Sequence, residues 1–124
     1  MNLRNLLLCT ALTLPFTACS KSPDAMMDKM VSMMEELGSA VDGANGDCGK
    51  MADSVQAVAK KYEGDMKDMK AAAEKLKGDK DQAEKLMKKY GERMQKVMPK
   101  MMGMMKCADD PKMKAVNEKL KGLM

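Results

Sequence analysis

Apolar residues recur along this chain at alternating spacings of four and three, and no run alternates with period two for long enough to suggest a sheet. The clearest run is Cys48, Ala52, Val55, Ala59, Tyr62, Met66, Met69, Ala73 and Leu76. That is an a/d seam, which predicts a long helix lying along a partner helix. Gly64 sits inside it, costs about 1 kcal/mol relative to Ala, and marks a close approach or a soft point. A second run, Ala83, Met87, Tyr90, Met94, Val97, Met101 and Met104, follows the tight connection Gly78-Asp79-Lys80-Asp81, where Asp79 can cap. Pro99 falls within this run and predicts a kink, because its ring removes a backbone donor and crowds the preceding turn.

Two further helices flank this pair. Ser22-Pro23-Asp24 supplies a cap, a Pro at the first helical position and an early acid. Met26, Met27, Met30, Val31, Met33, Met34, Leu37 and Val41 follow at helical spacing, and Asp42-Gly43-Ala44-Asn45-Gly46-Asp47 ends the helix. Asp110-Pro111 opens a last short helix with Met113, Val116, Leu120 and Leu123 on one face. The expected fold is all-α: an antiparallel helical hairpin (48–77, 80–106) with flanking helices, a three- or four-helix bundle forming a single domain over residues 23–124.

Residues 1–18 differ in kind. Arg4 precedes an apolar stretch, Leu6 to Leu14, and Pro15-Phe16-Thr17-Ala18 follows. This is the layout of a secretory signal peptide, too short to span a bilayer stably. Phe16-Thr17-Ala18-Cys19 resembles the lipobox of bacterial lipoproteins, with Phe16 where an aliphatic residue is common. The resemblance covers only this segment. It implies that Cys19 becomes the acylated first residue of the mature protein, anchored in the bacterial cell envelope and facing the periplasm. Ser20 rather than Asp after the Cys implies the outer membrane over the inner. The competing reading is an ordinary signal peptide cut after Ser20.

Export into an oxidising compartment, with Cys19 taken by lipid, leaves Cys48 and Cys107 as an even pair. Antiparallel helices joined at 77–78 bring together positions symmetric about that turn, and these two cysteines satisfy the condition. A disulfide across the open end of the hairpin is therefore expected. Free thiols in a soft-metal or redox site are the alternative, without a CxxC motif or a His to support it.

Composition narrows the function more than it names it. The chain has no His, Trp or Ile, and Tyr62 and Tyr90 are its only aromatics after Phe16. With no His, nothing supports a nucleophile–base pair, and no Gly-rich phosphate loop, zinc spacing or haem motif is present, so an enzyme is not expected. Residues 20–47 carry two Lys and six acids, a net −4, whereas residues 48–124 carry 19 basic and 12 acidic groups, a net +7. The basic part reads as a face for anionic lipid or polyanion, or as a solvated surface laced with Glu63–Lys67, Asp81–Lys85, Glu84–Lys88 and Glu92–Lys96 pairs. Nucleic acid is not an expected partner, since one mature Arg and two aromatics offer little to stack on bases.

Seventeen of the 18 Met fall in the mature chain, against five Leu. Met98, Met101, Met102 and Met105 stand close to Met104 and Cys107, and helical levels place Met30 near Met94 and Met98, and Met51 near Met104. Three readings follow: core filling by an adaptable side chain, a Met-rich adaptable surface for a protein or apolar ligand or for self-association, and a thioether site for Cu(I), which soft sulfur selects. Adjacent pairs such as Met101-Met102 cannot share one seam, so some methionines must be exposed or cover another helix. The function expected is a membrane-anchored envelope lipoprotein with a small non-enzymatic binding or structural domain, needing no cofactor, or alternatively a Met-rich Cu(I)-binding protein.

Overall fold

Among the described residues four α-helices form because four apolar stripes of helical period are separated by capped turns. The computed structural model describes residues 22–123, and the signal segment and Cys19 lie outside it. Helix α1 spans Pro23–Gly43, α2 Cys48–Gly78, α3 Lys80–Met101 and α4 Pro111–Leu123, with a 3₁₀ helix at Met102–Cys107 between the last two. The fold is all-α, as the spacing predicts. Ser22 Oγ accepts from Ala25 N, Asp79 Oδ1 from Gln82 N, and Asp110 Oδ1 from Lys112 N and Met113 N, so the expected caps form. Between α1 and α2 the chain turns through Asn45 and Gly46 at positive φ, 49° and 81°.

The two seams do not meet each other along their length. Helix α1 lies between α2 and α3 and contacts both extensively, whereas α2 and α3 touch little. Three buried clusters result, and α1 contributes to each. Met26 packs with Tyr62, Met69 and Ala72 of α2. Val31 packs with Leu86 and Tyr90 of α3. Leu37 and Val41 join Met51, Ala52 and Val55 of α2, Cys107, and Met113 and Val116 of α4. Helix α4 thus packs on α2 and completes the cluster around its first turns. Because α3 faces α1 rather than α2, its buried stripe is rotated from the expected one: Leu86 is buried and Met87 is exposed.

Helix α3 runs through Pro99 to Met101 and then tightens instead of continuing to residue 106. An α-helix advances about 100° per residue and a 3₁₀ helix about 120°, so in the latter residues three apart eclipse. Met101, Met104 and Cys107 accordingly line up toward the core, and Met102 and Met105 line up away from it. The inward line delivers Cys107 to Cys48, whose disulfide closes the expected pair at Cα–Cα 5.4 Å over a separation of 59 residues. Two glycines allow the approach. A Cβ on Gly38 would meet Lys100 Cβ at 3.2 Å, and one on Gly103 would meet Val41 Cγ1 at 2.6 Å. Gly64 has open space around it, so it marks no close approach.

Gly64→Ala should stabilise by about 1 kcal/mol, while Gly103→Ala should destabilise by about 1–3 kcal/mol through the clash with branched Val41. Denaturant midpoints of the two variants, moving in opposite directions, check this. Replacing Cys48 and Cys107 together with Ala should cost about 4 kcal/mol by releasing the closed loop. An unchanged unfolding free energy would show that the staple constrains little.

Candidate functional site

The outward line of methionines is the most distinctive surface of the domain. Met98, on the last turns of α3, is 67% exposed; Met102 and Met105, on the 3₁₀ helix, are 66% and 73% exposed. Their spacing of four and then three carries them along one side of the same continuous segment. Of the four methionines that sequence suggests for Cu(I), these three share an open face, and Met101 instead packs against the core around Cys107. The expected level of Met51 and Met104 holds, since both belong to that cluster. Met30 packs instead beside Met26, Tyr62 and Met69, and Met94 beside Val31 and Tyr90. The methionines of α1 are therefore divided between α2 and α3 rather than gathered with Met98.

Charged side chains are largely engaged elsewhere. Arg93 grips α1: its Nε and one terminal nitrogen donate to the two carboxylate oxygens of Glu35 at 2.8 and 2.7 Å, and the other donates to Asp28 at 2.7 Å. Lys89 pairs with Asp24 at 2.9 Å and Lys100 with Asp42 at 3.2 Å. From α2, Lys61 pairs with Glu36 and Asp65 accepts from Lys29, each at 2.6 Å. The tyrosines reinforce both flanks: Tyr62 donates to Glu36 at 2.7 Å and Tyr90 to Asp24 at 3.1 Å. Of the four expected within-helix pairs, Glu84–Lys88 and Glu92–Lys96 close, at 3.2 and 3.4 Å.

These contacts set the protonation behaviour. Hydrogen bonds from Lys89, Arg93 and Lys61 hold Asp24, Glu35 and Glu36, respectively, below the ordinary carboxylate range. Its hydrogen bond to Glu36 pushes the Tyr62 hydroxyl up to about 12, with burial adding to the effect. All are structural shifts between helices. Among the described residues no group of three or more His, Cys, Asp or Glu is placed to hold a metal ion.

Sequence spacing found the methionines but not this lattice. A usable signal was present: Lys60-Lys61-Tyr62 and Lys88-Lys89-Tyr90 put the same triplet on two helices, and Asp28, Glu35 and Asp42 are spaced by sevens, as are Arg93 and Lys100. The chain matches no protein-family model, no curated protein and no solved structure.

The pH response has a definite sign. Asp24, Glu35 and Glu36 have lowered folded values, so their stabilisation is complete above the unfolded carboxylate range and is lost as pH falls through the folded values. The denaturant midpoint should hold between pH 7 and about 5 and fall below about pH 4. Tyr62 has a raised folded value, so its contribution is present below about pH 10 and is lost as pH rises toward 12. Tyrosinate absorbance of a Tyr90→Phe chain checks the second limb; ionisation near pH 10 in the folded state would refute the Glu36 contact.

Proposed function

We propose that this chain is a lipid-anchored protein of the bacterial envelope whose helical domain is a non-enzymatic binding module, and that its contact surface is the line Met98, Met102 and Met105. The exposure of these three side chains carries the reading. Flexible, polarisable thioethers suit adaptable apolar recognition, and an exposed apolar line on a small domain is a feature that association would cover. The anchor rests on Phe16-Thr17-Ala18-Cys19, and Ser22 caps the domain three residues after Cys19. No described helix is long and apolar enough to cross a membrane.

A photo-crosslinking side chain at position 102, activated in intact cells, should give a discrete adduct that is lost when Met98 and Met105 become Lys. Monomer alone after exhaustive irradiation would overturn the binding-module reading. An adduct of twice the chain mass would assign the surface to self-association.

The same line supports a second reading, three soft ligands on one open face for Cu(I). In a competition titration against a chromophoric chelator, stoichiometric Cu(I) binding abolished by Met98, Met102 and Met105→Leu would favour copper handling. No binding at micromolar Cu(I) would remove it.

A further inference from the structure

At the opposite end from the methionine line, α1 begins beside the turn that joins α2 to α3. A groove of about 330 Å³ opens there, within the size range of small-molecule sites, about 300–1,000 Å³. Met27 and Met30 of α1, Leu76 of α2 and Met87 of α3 form much of its wall, and Pro23 stands at its lip. Lys77 is its one charged lining residue. Five of the eleven lining residues are methionines. Apart from Lys77 such a wall is apolar, with little to orient a compact polar ligand, and its unbranched, adaptable side chains suit a linear hydrocarbon.

The chain itself indicates what is delivered to this groove. Cys19 precedes Pro23 by four residues, and four residues span at most about 14 Å. A group attached at Cys19 is therefore tethered to the lip. We propose that the groove seats one acyl chain of the lipid carried by Cys19. This rests on the lipoprotein reading and adds to it a site for part of the anchor within the domain. One chain lies in the groove while the others stay in the bilayer. The start of α1 and the α2–α3 turn then face the membrane, and Met98 is held away from it by roughly the 27 Å that 18 residues of α3 span. The anchor thereby orients the contact surface as well as retaining the protein.

The full chain, produced in bacteria fed a diazirine-bearing fatty acid and purified from membranes, tests this directly. Intact mass reports acylation, and irradiation followed by peptide mapping reports where the acyl chain lies. Crosslinks should fall on the peptides containing Met27, Met30 or Met87. Met87→Glu places a charge in the groove at a residue already 56% exposed, so the fold should survive. It should reduce those crosslinks about tenfold. Ala73→Phe, which fills the groove without charge, should do the same. An acylated Cys19 whose crosslinks are confined to lipid, or spread over other helices, would overturn the groove assignment and leave the anchor standing. An unmodified Cys19 would overturn both.

Discussion

Helix α1 occupies the position on which the other elements depend. It separates α2 from α3 and supplies a residue to every buried cluster, so removing it would uncover the faces of α2 and α3 that pack on it. Its acids explain the uneven charge of the chain. The −4 of its region is set between two helices whose Lys and Arg reach inward across both edges, so complementarity between segments accounts for much of what looked like a basic surface. Exposed ion pairs contribute little individually, about 0.2–1 kcal/mol. Their geometry specifies register instead. Asp24–Lys89 and Asp28–Arg93 share an offset of 65, as parallel helices require. Arg93 alone could be the fork, because bidentate binding of Glu35 together with a third bond to Asp28 needs a planar guanidinium.

The second constraint is the change of winding after Met101. A continued α-helix would rotate each later residue back by about 20° relative to the 3₁₀ path, and the gathering of Met101, Met104 and Cys107 on one side would be lost. Gly103 permits the tighter segment to sit against Val41 of α1. The disulfide then fastens that segment to the start of α2. One local change of pitch thus sorts adjacent methionines to opposite sides, resolving the conflict that Met101-Met102 and Met104-Met105 pose for a single seam.

Much of this was legible in the residues. Caps at Ser22, Asp79 and Asp110, the helical spacings and the symmetry of Cys48 and Cys107 about the turn are local or nearly local signals, and each led to the observed element. The identity of the partners was not legible by the same means. An a/d stripe states that a face is covered, but not by which helix, so the seams of α2 and α3 were as compatible with each other as with α1. That ambiguity is why the spacing points to Met87 rather than Leu86 as the buried residue. The 3₁₀ segment was hidden because its spacing of three matches part of a heptad until it is sustained. Arg93 was hidden because a surface charge acquires a partner only once two helices distant in sequence are side by side. The lipid anchor we propose is read from a segment outside the described residues, whose signal is chemical order rather than periodicity.

The contact surface we propose on the methionine line depends on the same constraints. Side chains at Met98, Met102 and Met105 add little to the fold, since they are mostly in water, whereas Met26, Met51 and Met113 are nearly or wholly buried and fixed by packing. Residues that the core does not need are free to meet a partner. Yet they are not carried on a loose loop: Met105 lies two residues from Cys107, whose sulfur is bound to α2, and Met102 adjoins Gly103, which is held against α1. Association is opposed by the entropy of ordering the contacting groups, and a backbone already ordered reduces that opposition to the side-chain torsions. Methionine keeps those torsions adaptable while the staple keeps their origin still. The surface thus pairs a rigid frame with compliant tips, which favours contact with apolar partners without demanding one shape.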